Sequence, residues 1–275
     1  PLEQRGEVFA IKYTLNNVAY AVGPFIGVAL VMFDYHWPFL LSALLGLAMC
    51  LMYRRWGERS ARAQLEGSPQ AGFLSVGGQL LKDRRLICFT LGGALSAVVF
   101  GQFTAYLSQY LVVTSNASEA ARYISYLVAT NALTVIALQY VIGRRINARR
   151  LIPWLMAGMA LFVVGLLGFS LAQSLLVWCL AMLVFTLGEI IVIPAEYMFI
   201  DSIAPEHLRG VYYGAQNLSN LGAALGPVIC GFALAHLVPV ATFYLLIGAV
   251  LLAALFYYLG ARSSPCQVEQ VASEG

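Results

Sequence analysis

Of the 275 residues, 60% are hydrophobic and 11% charged, and the mean hydropathy is +0.79. A soluble domain carries roughly 25% charged residues, so this chain cannot cover itself with charge, and a soluble globular fold is excluded. The formal net charge of +3 is too small to point to nucleic acid.

With lipid as solvent, spanning segments are helices or a closed barrel, and a helix needs about 20 apolar residues to cross the hydrocarbon core. Eight such runs lie near residues 8–31, 37–53, 87–113, 121–143, 151–171, 175–198, 211–235 and 238–260. They are too long and too evenly apolar for barrel strands, so the expected class is an all-α membrane protein. The first run, within RGEVFAIKYTLNNVAYAVGP, carries Lys12, Asn16 and Asn17 and closes on Gly23-Pro24. The second is apolar throughout. Residues 54–85 hold seven basic and three acidic side chains and read as a cytoplasmic linker. Runs three and four bring Gln102, Gln109, Asn131 and Gln139 to membrane depth. The fifth is again apolar. The sixth, FTLGEIIVIPAEYMFIDSIAP, places Glu189 and Glu196 seven residues apart with Pro194 between them. The seventh, RGVYYGAQNLSNLGAALGP, carries Gln216, Asn217 and Asn220, and the eighth has almost no strongly polar group.

Fourteen of the 16 basic residues fall in alternate connections or at the ends, the exceptions being Lys12 and Arg122. Positive charge marks the cytoplasmic side, so both ends are placed there, as an even span count requires. There is no basic leader region, so no cleavable signal peptide is expected. The five cysteines (Cys50, Cys88, Cys179, Cys230 and Cys266) lack metal-ligand spacing and read as packing residues. No metal or other cofactor is expected.

Polar groups at membrane depth face a bundle interior or a wet cavity. Runs two, five and eight are therefore expected to form an outer scaffold, and the others to surround the cavity. Withdrawal from water disfavours a charged carboxyl, so Glu189 and Glu196 are the candidates for proton coupling or for binding a substrate charge. Pro194 is expected to kink their helix. Lys12, Asn16, Gln102, Gln109, Asn131, Gln216 and Asn220 are candidate cavity-lining residues, with snorkelling for Lys12 and interhelical hydrogen bonds for the amides as the alternatives. Gln216 and Asn220, at i and i+4, are expected to share a face. Gly222, Gly226 and Pro227, like Gly23 and Pro24, are assigned to packing and hinge positions. Asp201 and Arg209, with Arg144 and Arg145, mark the cytoplasmic loops, Asp201 as a loop-ordering partner.

Aligning Gly23-Pro24 with Gly226-Pro227 also pairs Asn17 with Asn220 and Ala19 with Gly222, six runs apart. Six-helix parallel repeats belong to transporters built from two halves. The Gly-x-x-x-Gly-Pro stretch, together with LQYVIGRRINARR and the segment from FTLGEIIV to NLGAALGP, resembles the major facilitator superfamily, in its drug:proton antiporter-like branch of enterobacterial inner-membrane transporters. The resemblance covers nearly the whole chain. It implies twelve helices, of which eight, equivalent to helices 5–12, lie in these residues and helices 1–4 do not. It also implies alternating access about a central cavity lined by helices 7, 8, 10 and 11. One departure is Gly143-Arg144-Arg145-Ile146-Asn147, which lacks the Asp of the family's loop and weakens a gating role there.

The expected organisation is helices 5 and 6 in 1–53, the linker 54–85, a complete C-terminal six-helix half in 86–262 and a disordered tail in 263–275. The expected function is proton-coupled export of small amphiphilic solutes, driven by the proton gradient, by a monomer in a bacterial inner membrane. The alternatives are uptake of another small solute, or a truncated fragment that does not transport. An intramembrane enzyme is disfavoured. There is no His-Glu-x-x-His or Gly-x-Ser-x-Gly, and the three histidines (His36, His207 and His236) lie near span ends.

Overall fold

The computed structural model describes residues 11, 15–16, 18–19, 22–23, 26–27, 29–57, 83–147, 150–205 and 208–263. Lys12 and Pro24 lie outside them. The described residues between 11 and 31 are helical, with Asn16 and Gly23 exposed. Then follow α1 (Trp37–Met52), closed by a π-helical turn at Tyr53–Gly57, α2 (Arg84–Phe100), α3 (Phe103–Thr114), α4 (Ala117–Gly143), α5 (Leu151–Leu171), α6 (Leu175–Ile203), α7 (Arg209–Gln216), a 3-10 turn (Asn217–Ser219), α8 (Asn220–His236) and α9 (Ala241–Arg262). Six of the described helices are long and apolar enough to cross a membrane, or seven when α2 and α3 count as one bent span.

That pair occupies the run expected over 87–113 and shows it to be bent. A bend of 42° separates α2 from α3 at Gly101-Gln102. Gly101 sits where a Cβ would collide with the Ala223 side chain of α8, so the crossing helix leaves no room for an ordinary residue at the break.

Helix starts are set by side chains that accept the first free N–H groups. Asn116 accepts from the Glu119 N–H at 2.9 Å, and Ser174 from that of Val177 at 3.4 Å. Asp83 accepts from the N–H groups of Arg85 (2.9 Å) and Leu86 (3.3 Å) and also from the Tyr212 hydroxyl of α7 (2.7 Å). It therefore starts one helix and ties it to another. Asp83→Ala is expected to cost about 1 to 2 kcal/mol, a cap plus a buried hydrogen bond, read as a lowered unfolding temperature in detergent.

Lipid gives no hydrophobic drive for helix association, so close backbone packing must supply it. The antiparallel pair α5 and α6 crosses where a Cβ on Gly158 would lie 2.5 Å from Val192 Cγ2, and one on Gly188 would lie 2.9 Å from the Gly158 carbonyl. α9 packs on α2 and α5, and α4 on α6. An aromatic cluster of Phe162, Phe169, Trp178, Phe185 and Phe243 fills the space among α5, α6 and α9. Outward positions such as Leu133, Leu171, Leu176, Phe232 and Leu251 are apolar, as lipid contact requires. No residue of α1 is buried.

Candidate functional site

Seventeen of the residues of α6 are buried, and they include both glutamates, Glu189 and Glu196, at 6% and 5% exposure. The helix runs on through Pro194, whose ring removes the N–H that would bond the Ile190 carbonyl. The two acids lie two turns apart and meet different helices.

Glu189 faces α4. Asn131 Nδ2 donates to its Oε2 at 2.7 Å and lies 3.0 Å from Thr186 Oγ1, while the Thr186 hydroxyl donates to the Met182 carbonyl. This brings together two residues that the sequence singled out.

Glu196 lies where α2, α7 and α9 converge. Its Oε1 accepts from the Ser96 hydroxyl at 2.8 Å and from the Tyr257 hydroxyl, and these two hydroxyl oxygens are 3.0 Å apart. Gln216 Nε2 approaches Oε2 at 3.5 Å. The arrangement depends on two small positions in α2. A Cβ on Gly92 would lie 2.7 Å from the Tyr257 ring, and one on Gly93 would lie 2.8 Å from Gln216 Nε2. Among the described residues, the hydrogen-bond partners of Glu196 are two hydroxyls and an amide, and none carries a charge.

Tyr257 corrects the expectation that the last span is purely an outer scaffold. It is fully buried, and its ring packs 5.1 Å from that of Phe89 while its hydroxyl reaches the acid. The signal was in the sequence as a tyrosine within an apolar run, where a buried hydroxyl needs a partner. Ser96 was missed for the same reason, being a small polar residue in a Gly/Ala-rich stretch.

Gln216 is buried and Asn220 exposed. The expected shared face is lost because the 3-10 turn Asn217–Ser219 between them winds three residues per turn rather than 3.6. Gln102 and Gln109 are exposed, Gln109 lying beside Gly231 of α8. A Cβ on Gly222 would run into the Ala94 carbonyl of α2, and one on Gly226 would lie 2.5 Å from the Val98 carbonyl, so this stripe of α8 lies directly on the α2 backbone. At the α6–α7 connection, Asp201 accepts from the Tyr213 hydroxyl at 3.0 Å and lies 3.7 Å from Arg209 Nε. Arg144 and Arg145 are exposed.

The sequence profile of the Major Facilitator Superfamily matches residues 1–220. The chain is 36% identical over 260 residues to a protein of Escherichia coli (strain K12) named as an uncharacterized MFS-type transporter, YdeE, covering 94% of this chain and 65% of that one. It is 29% identical over 256 residues to the Na(+), Li(+), K(+)/H(+) antiporter of Planococcus maritimus, covering 83% of this chain and 59% of that one. It is 26% identical over 224 residues to the multidrug resistance protein MdtH of Klebsiella pneumoniae, covering 81% and 53%. The chain thus spans between half and two thirds of the length of these relatives. With its all-helical membrane-spanning fold and a profile match over most of its length, the chain belongs to the major facilitator superfamily of transporters.

Proposed function

We propose that the protein is a proton-coupled secondary transporter that exports small amphiphilic solutes by alternating access. One observation carries the reading. Glu196 is a carboxyl buried among neutral donors from three other helices, so its charge changes with proton uptake and not with the breaking of an ion pair. Acids at membrane depth are functional by default. Residues 86–262 would form the C-terminal half, 54–85 the cytoplasmic linker and 1–53 the end of the N-terminal half, in an inner membrane with both ends in the cytoplasm. Glu189, held by Asn131 on another helix, is the second coupling group.

A second reading, exchange of a monovalent metal cation for protons, draws on the relative named as a Na(+), Li(+), K(+)/H(+) antiporter and on the oxygen-rich surroundings of Glu196. Everted membrane vesicles acidified by respiration separate the two. Partial collapse of the pH gradient on adding ethidium supports amphiphile export, and collapse on adding NaCl or KCl supports cation exchange. No collapse with either, against vesicles lacking the protein, overturns proton coupling. In the same assay, Glu189→Gln is expected to abolish the response while leaving the amount of inserted protein unchanged. An undiminished response removes Glu189 from the coupling mechanism.

A further inference from the structure

Glu196 and the two hydroxyls it touches form a closed triangle of oxygens. A fourth contact leads out of it, from Ser96 Oγ to the Gly93 carbonyl at 3.1 Å. A hydroxyl donates one hydrogen and accepts up to two. That inventory permits two complete arrangements on one set of heavy-atom positions. With the carboxylate present, Ser96 and Tyr257 both donate to Oε1. With a proton on Oε1, the acid donates to Tyr257 Oη, the tyrosine hydrogen turns to Ser96 Oγ, and the serine hydrogen turns to the Gly93 carbonyl. The proton comes from hydronium, which loses one O–H bond and departs as water as Oε1 gains one. The only other change is rotation of two O–H bonds.

We propose that Ser96 and Tyr257 are positioning residues that hold Glu196 in both charge states, so that a proton is loaded and released without repacking α2, α6 and α9. This rests on the proton-coupling reading above and specifies how the site serves it. Both residues are fully buried, and each is carried by a helix other than that of the acid. Tyr257 is fixed further by its fit against Gly92, so its hydroxyl is aimed by packing as well as by hydrogen bonds. Among the described residues, Tyr257 on α9 and Tyr197 on α6 interact electrostatically with Glu196. The groups bonded to it from α2 and α7, Ser96 and Gln216, are neutral.

Infrared difference spectra of the reconstituted protein, taken between alkaline and acid buffer, test this. A protonated-carboxyl C=O band should appear on acidification and be absent in Glu196→Gln. In Tyr257→Phe the band should persist but shift in frequency, because the acid O–H has lost its acceptor, and in Ser96→Ala it should shift because the Tyr257 hydroxyl that accepts from the acid has lost its own acceptor. Ethidium-dependent proton movement should fall roughly tenfold in each, the worth of one hydrogen bond to a charged group, with a displaced pH profile. A band lost in Glu196→Gln but unmoved in both hydroxyl variants overturns the positioning role and leaves proton coupling standing. If Glu196→Gln removes no band, both readings fall. Should Tyr257→Phe fail to fold, Ser96→Ala decides the question alone.

Discussion

Glu196→Gln is expected to reduce ethidium-dependent proton movement to the level of vesicles without the protein, while the variant still inserts and unfolds within a few degrees of the parent. Gln keeps the shape of Glu and a carbonyl oxygen that accepts from Ser96 and Tyr257. The expected stability change is therefore about 1 kcal/mol, the range of a single altered hydrogen bond. What the amide loses is the capacity to change charge, and with it any response to the proton gradient. Glu196→Asp separates the two effects. It keeps the titrating group but withdraws it by one methylene from hydroxyls that now lie within hydrogen-bond distance, so partial activity is expected. Full activity in the Gln variant, measured as gradient collapse per inserted protein, would remove Glu196 from the mechanism.

Gly222→Leu is expected to give the largest loss of folded protein. In α8 the site of the missing Cβ coincides with the backbone carbonyl of Ala94, which belongs to α2 and cannot rotate away as a side chain would. Overpacking of a core costs typically 1–3 kcal/mol, and displacing a helix backbone belongs at the upper end or beyond. The same move parts the segments that hold Ser96 and Gln216 near Glu196, so function falls with stability. Gly222→Ala should show the same effect in weaker form. Gly248→Ala in α9 is the control: apart from the local backbone of its own helix and its chain neighbours, nothing lies within 4 Å of its added Cβ, and near-parental behaviour is expected. Size-exclusion profiles and thermal unfolding in detergent give the comparison.

Much of the fold was legible because hydropathy is a long-range signal with little local ambiguity. The runs expected at 151–171 and 238–260 correspond to Leu151–Leu171 and Ala241–Arg262, and that expected at 175–198 extends to Ile203. Glu189 and Glu196 stood out because charge inside an apolar helix is costly. The partners of Glu196 were less visible, since Ser96 and Tyr257 are ordinary residues for a membrane helix and gain meaning only from the helix opposite. Breaks in winding were hidden for a similar reason. Nothing in TLGGALSAVVFGQFTAYL separates a Gly that merely packs from the one at which α2 ends, and the turn between Gln216 and Asn220 is set by tertiary contacts.

The break at Gly101-Gln102 has a mechanical consequence. α2 is anchored by its Asp83 cap and by the α8 stripe, whereas α3 begins a separate hydrogen-bond ladder of its own. Twelve residues of α-helix measure about 18 Å, so a pivot of about 10° at the joint carries the far end through roughly 3 Å. Such a pivot has to break the 2.8 Å hydrogen bond from the Tyr106 hydroxyl of α3 to the Val99 carbonyl of α2, which spans the joint.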